Sequence, residues 1–160
     1  MINSINKNEQ IREFLSSSKT IAMVGVSSIK KELSTNIKRR PSTIVMKYLQ
    51  EFGYRVIPVN PFSVGQKIYG ENIVAKLSDI KIPVDIVNVF RPSVQTPTIA
   101  KEAIKIGAKV FWLQYGIQNE EAKQIVEKEN ISYIANKCIK QEYQKLFLKV
   151  SPVFPALKNN

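Results

Sequence analysis

The sequence predicts an open, doubly wound α/β fold: one domain whose five-stranded parallel sheet carries helices on both faces. Three observations predict it. Short apolar runs rich in β-branched and aromatic residues, at 20–26, 54–59, 84–90, 109–114 and 132–135, alternate with amphipathic stretches of helical period. Strands that are apolar almost throughout, separated by helices, mark a parallel sheet buried on both faces. A chain of 160 residues with 44% hydrophobic content is long enough for one core and too short for two substantial ones.

The elements follow in order. Residues 1–17 are expected to hold a helix, at 8–16, packed on the domain; 18–147 form the domain, and 148–160 form an extended tail containing Pro152 and Pro155. The first crossover helix, 43–52, is marked by the stripe Ile44, Val45, Tyr48, Leu49 and Phe52. Ser42 or Thr43 is expected to cap its start and Gly53 to end it. A single helical turn near 75–78 precedes the third strand, and the next helix, 94–106, ends at Gly107. Asn119 caps the helix 120–129, whose first turn carries Glu120 and Glu121, the sign that the helix dipole favours there. A last helix covers 137–147. Right-handed crossovers give, most simply, the strand order 3-2-1-4-5.

Composition removes several kinds of chemistry. The chain has no histidine, which excludes Ser-His-Asp and Cys-His catalysis, phosphohistidine relays and the usual His-bearing metal sites. Its one cysteine, Cys138, excludes a thiolate metal cluster and an intramolecular disulfide, in agreement with a reducing compartment. No run approaches the roughly 18 apolar residues that a bilayer span requires, and the start MINSINKNEQ lacks the apolar region of a secretory signal. A cytoplasmic protein with no membrane partner is expected.

Twenty-four basic against 13 acidic residues give a net charge of +11, which suits nucleic acid, an anionic membrane surface or an anionic small ligand. Most lysines are scattered, and the dense clusters, Lys30-Lys31 and Lys38 to Arg40, share one loop. That loop lies in the segment 21–42, IAMVGVSSIKKELSTNIKRRPS, where an apolar strand reaches Gly25 and breaks into Ser27 and Ser28 before a helix begins. A helix start offers unpaired N–H groups and a partial positive charge, so the segment is built to hold a phosphate.

In doubly wound sheets ligands lie beyond the carboxyl ends of the strands. Those ends read Gly25-Val26-Ser27-Ser28, Asn60-Pro61, Phe90-Arg91-Pro92, Gln114-Tyr115-Gly116 and Asn136-Lys137-Cys138. Arg91 could pair with a phosphate or carboxylate, and Gln114 could hydrogen-bond an amide. A nicotinamide or flavin dinucleotide fits poorly: the fingerprint G-x-G-x-x-G is reduced to Gly25, and Asn60 stands where an acidic residue would hold the ribose.

The motifs IAMVGVSS, RRPSTIVMKYLQEFGYRVIPVNP, VDIVNVFRP, VFWLQYGIQNEEA and NKCIKQEY, taken together and in order, resemble the small CoA-binding-domain proteins. These are single Rossmann-like domains similar to the N-terminal domain of the succinyl-CoA synthetase α subunit, and the resemblance covers 18–146. It implies that Gly25, Val26 and Ser27, with Ser28 beside them, meet the CoA pyrophosphate. Pro41 and Ser42 would face it from the helix start and Arg40 would supply charge. Asn60 and Pro61 would flank the adenine and ribose, Val89, Phe90 and Arg91 would line the cleft, and Gln114 and Gly116 would lie toward the pantetheine arm. The loop 29–40 is longer than is usual in the family.

The function expected is binding of CoA or an acyl-CoA without catalysis. The alternative is a nucleotide-dependent enzyme, either an NAD-type oxidoreductase or an accessory part of an acyl-CoA ligase; the synthetases use a phosphohistidine and a second domain, which this chain does not supply. Cys138 reads either as a small buried hydrophobe or as a redox thiol at a helix start, flanked by Lys137 and Lys140, able to form a mixed disulfide with CoA. Charge alone prompts nucleic-acid binding, but Phe52, Phe90, Phe111 and Trp112 read as core, with Tyr115 the exception, so a stacking groove is not expected. A homo-oligomer is left open.

Overall fold

Side chains alternate across a strand, so a strand covered on both sides feeds two apolar layers at once. The computed structural model, which describes residues 4–27 and 41–148, is organised in this way. In chain order the strands are β1 (Thr20–Val24), β2 (Arg55–Val59), β3 (Lys67–Ile68), β4 (Glu71–Asn72), β5 (Ile86–Val89), β6 (Val110–Leu113) and β7 (Ser132–Ile134). The helices are α1 (Ser4–Ser17), α2 (Pro41–Glu51), α3 (Thr96–Lys105), α4 (Glu120–Glu127) and α5 (Ile139–Tyr143), the last running into a wider turn at Gln144–Leu148. Ile21, Met23, Ile86, Val110 and Trp112 point to one layer, where α1, α2 and α5 cover them. Ala22, Val87, Val89, Phe111 and Leu113 point to the other, under α3 and α4. Among the described residues no helix is long and apolar enough to cross a membrane.

The five-stranded parallel sheet is as expected, but its order is not 3-2-1-4-5. It runs β2-β1-β5-β6-β7, which is 2-1-3-4-5 when only its own strands are counted. The third strand, β5, pairs with β1, Ile21 opposite Ile86 and Val24 opposite Val89, instead of adding outside β2. The outer edge of β2 is already occupied by its own outgoing connection. Val74 donates its N–H to the Pro58 carbonyl at 3.1 Å and accepts from the Asn60 N–H at 2.8 Å. Pro58, which has no N–H, belongs on an edge strand, and this is the signal that the simpler order overlooks.

That connection also carries the β3–β4 ribbon, absent from the sequence reading. Its turn uses positive φ at both Tyr69 (48°) and Gly70 (84°), the pairing that tight hairpins favour. Arg55 of β2 holds the ribbon through Glu71 at 3.1 Å. A 3-10 turn at Leu77–Asp79 stands close to the helical turn expected at 75–78.

Helix boundaries obey the expected punctuation, with one correction. Asn119 Oδ1 accepts the Ala122 N–H at 2.8 Å, capping α4. Gly53 ends α2 at φ +99°, its N–H donated to the Gln50 carbonyl. Ser42 and Thr43, however, do not cap α2. The helix begins at Pro41, whose fixed φ and missing N–H suit a first helical position, and both residues are buried in the first turn.

At the amino edge of the sheet, Asp85 ties three strands together. Its carboxylate accepts the N–H groups of Lys19 (2.8 Å) and Thr20 (3.1 Å) and lies 3.6 Å from the Lys109 ammonium. Burial alone would raise its pKa, but the two N–H groups and Lys109 outweigh burial and hold it below the ordinary carboxylate value.

Candidate functional site

The order β2-β1-β5 puts the reversal of strand order between β1 and β5, so the carboxyl ends of these parallel strands form the place where a ligand is expected. The ladder holds them level: Gly25 donates its N–H to the Val59 carbonyl at 2.9 Å, and Phe90 donates to the Val24 carbonyl at 2.8 Å. Gly25 has φ +99°, a conformation that disfavours any side chain, and a Cβ there would lie 2.8 Å from Arg91 Cδ and 3.3 Å from the Phe90 carbonyl carbon. The Arg91 stem therefore lies directly over the Gly25 backbone. Its Nε donates to Gln95 Oε1 at 3.0 Å, which fixes the direction of the guanidinium and leaves its outer nitrogens for an anion.

Asn60 braces the same place from β2. Its Nδ2 donates to the Val26 carbonyl at 2.8 Å and its Oδ1 accepts the Phe62 N–H at 2.9 Å, so one side chain sets both the loop after β1 and the loop after β2. Between these loops, the start of α3 and the segment at Ala75–Lys76 opens a cleft of about 770 Å³. Its walls are mainly apolar, with Val24, Val59 and Ile99 inside. Phe62, 87% exposed, and Val94, 81% exposed, line it from the β2 and β5 sides. Large apolar side chains left in water beside an apolar cleft, with a few polar groups converging on it, are the hallmark of a small-molecule site.

Of the residues singled out in the sequence, Gly25, Asn60, Pro61 and Arg91 line this cleft. Val26, Ser27, Pro41 and Ser42 follow on the β1–α2 side: Val26 is buried, Ser27 donates its N–H to Ser42 Oγ at 3.2 Å, and Pro41 is exposed. Val89 is wholly buried in the layer under α3, and Phe90 packs on the opposite layer, so neither lines the cleft. Ser28 and Arg40, with Lys30, Lys31, Lys38 and Arg39, lie outside the described residues, as does the tail from 149 onward.

Gln114 and Gly116 belong to the other half of the edge. Gln114 is 7% exposed, and its Oε1 accepts from Asn88 Nδ2 and from the Ile139 N–H, each at 3.3 Å. Gly116 donates its N–H to Asn136 Oδ1 at 2.7 Å. Nearby, the Tyr133 hydroxyl accepts the Asn119 N–H at 2.9 Å. Burial raises the Tyr133 pKa, the Asn119 N–H works against the rise, and Glu120 and Glu127 add to it. Cys138 is half-buried against the α2-side layer, just before the five-residue α5. Phe111 and Trp112 are core as read, whereas Phe52 is 41% exposed.

Sequence reasoning missed Phe62, Val94, Lys76 and the α3 face formed by Gln95, Thr98 and Glu102. Two signals could have found them. Phe62 and Val94 are apolar residues set one or two positions beyond Pro61 and Pro92, in loops where water-facing residues are the rule. Gln95, Thr98 and Glu102 recur at i, i+3 and i+7, one face of a helix whose Ile99, Ala100 and Ala103 are core.

Known proteins share this architecture. YneT of Bacillus subtilis, an uncharacterized protein, is 41% identical over 131 residues, 82% of this chain and 90% of its own. The cell-free protein ID.343 of Thermus thermophilus is 36% identical with a TM-score of 0.79, over 88% of this chain and 98% of that one. A hypothetical protein of Pyrococcus horikoshii OT3, also 36% identical, has a TM-score of 0.77 over 87% of this chain and 91% of its own. The family model described as a CoA binding domain matches residues 19–144, nearly the whole of the sheet and its helices, and the chain belongs to that family.

Proposed function

We propose that the chain binds CoA or an acyl-CoA without catalysing a reaction of its own. The diphosphate lies at the end of β1 beside Gly25 and the Arg91 guanidinium, and the nucleoside end enters the cleft between β2 and α3. The observation that carries this reading is Gly25: a glycine at positive φ where the strand order reverses, packed against the Arg91 stem, whose guanidinium Gln95 holds beside it. Membership of the CoA-binding family supports CoA over other nucleotides. In the sequence the cationic residues 28–40 join Ser27 to Pro41, and that charge favours a ligand rich in phosphate. The lack of histidine supports binding without acid-base chemistry.

A thermal-shift panel of CoA, acetyl-CoA, dephospho-CoA, ADP and NAD tests the proposal. A ligand at about 100 times its Kd stabilises by about 2.7 kcal/mol, which for a domain of this size raises Tm by about 5–10 °C. CoA or acetyl-CoA should give the largest rise and NAD little. A larger shift with NAD than with CoA would overturn the reading in favour of a dinucleotide enzyme.

A further inference from the structure

The cleft has a polarity that narrows its ligand further. Arg91, fixed by Gln95, marks its cationic mouth at the carboxyl edge. From Gln95, just before its first residue, α3 runs back along the sheet and presents Thr98 and Glu102 to the cleft. At 1.5 Å per residue, Glu102 lies about 10 Å along the helix from Gln95. Between the two ends the wall is apolar, built by Val24, Val59 and Ile99. Glu102 is half-buried and forms no ion pair among the described residues, so its carboxylate faces the cleft as an acceptor.

We infer that Glu102 reads the base: the site selects a nucleotide whose base carries an exocyclic amine, a 6-aminopurine, with that amine donating to the Glu102 carboxylate. This rests on the reading that the diphosphate lies at Gly25 and Arg91. A nucleoside places its base on the far side of a ribose from the diphosphate, a separation that matches the distance between the two ends of the α3 face. The apolar stretch between them accepts the planar body of the base. A carboxylate accepts hydrogen bonds and donates none, so it favours an amine and disfavours the carbonyl of hypoxanthine at the same place. A half-buried acceptor that the bound base shields from water disfavours an analogue without the donor, because the carboxylate then loses solvent and gains no partner.

The experiment measures the affinities of ADP, IDP and purine riboside diphosphate for the full chain by calorimetry, with CoA titrated alongside. The parent protein should bind ADP about tenfold or more tightly than either analogue, a ratio expected for one hydrogen bond to a charged group. In Glu102→Gln the new amide can donate to the hypoxanthine carbonyl, and the ADP to IDP ratio should fall below about twofold. A merely structural Glu102 would weaken all ligands alike and keep the ratio. Parent affinities for ADP and purine riboside diphosphate within twofold overturn the inference without any variant, as does a tenfold ratio that persists in Glu102→Gln. If CoA binds while either result is found, the base assignment alone fails. If neither CoA nor ADP binds the parent protein, the proposed function fails and takes this inference with it.

Discussion

The two halves of the sheet's carboxyl edge have similar polar residues and use them differently. In the half built on β6 and β7, the polar groups bond to one another. Gln114 joins Asn88 to the start of α5, Trp112 Nε1 donates to the Lys137 carbonyl at 2.8 Å, and Asn136 holds Gly116. In the half built on β2, β1 and β5, Asn60 braces two loops, but among the described residues Arg91 commits only its Nε, and Glu102 and the apolar Phe62 and Val94 face an open cleft. A strand-end polar residue is therefore a ligand candidate only where the fold leaves its hydrogen-bonding capacity unused. Gln114 has the chemistry to bind an amide, and the N–H of Ile139 and the amide of Asn88 already use it.

Substitutions in each half should break this contrast in different ways. The largest effect is expected for Gly25→Ala, which forces a side chain into positive φ at a cost of about 1–2 kcal/mol and displaces the Arg91 stem. Calorimetric CoA affinity should fall about tenfold to a hundredfold; unchanged affinity would separate Gly25 from the site. Gln114→Ala should instead cost about 2 kcal/mol in urea unfolding, by leaving the Ile139 N–H unpaired, while CoA affinity stays within about twofold. A large loss of affinity with little loss of stability would place the ligand in the β6–β7 half.

Asp85→Asn, at the opposite edge, should cost about 1–2 kcal/mol at neutral pH without touching binding. The sign follows from the lowered pKa of Asp85. Its ionised form stabilises the fold fully above the unfolded carboxylate value of about 4, and that stability is lost as pH falls through the lower folded-state value. The gap between the parent and Asp85→Asn should thus close on acidification, as read by unfolding midpoints from pH 7 down to pH 2. The smallest effect is expected for Phe62→Ser: already in water, it should change stability by under about 0.5 kcal/mol yet weaken CoA about threefold to fivefold by removing apolar contact. Equal effects on stability and affinity would make Phe62 an ordinary fold residue.

Most of the fold was legible because burial on both faces writes an unbroken apolar run into each sheet strand. Val84 to Phe90 and Lys109 to Gln114 bracket β5 and β6 within two residues at either end. Strand order was less legible, since it depends on which edge of β2 the connection covers, and only Pro58 hints at that. Of the residues that line the cleft, Gly25, Asn60, Pro61 and Arg91 could be read from the sequence because they follow apolar runs. Phe62, Val94 and Glu102 left only weak signals, apolar residues just after a proline and a polar helix period, because a cleft between them exists only once α3 and the connection after β2 enclose a space. Gln114 and Gly116 show the same limit, since composition at a strand end does not say that Ile139 and Asn136 already bond to them.

On the proposed function the ligand occupies the β2–β1–β5 half of the edge. Amide shifts in a CoA titration followed by nuclear magnetic resonance test it most directly. The largest changes are expected at Gly25, Phe62 and Gln95, with Thr98 next. Unmoved signals there, together with large shifts at Gly116 and Asn136, would contradict it.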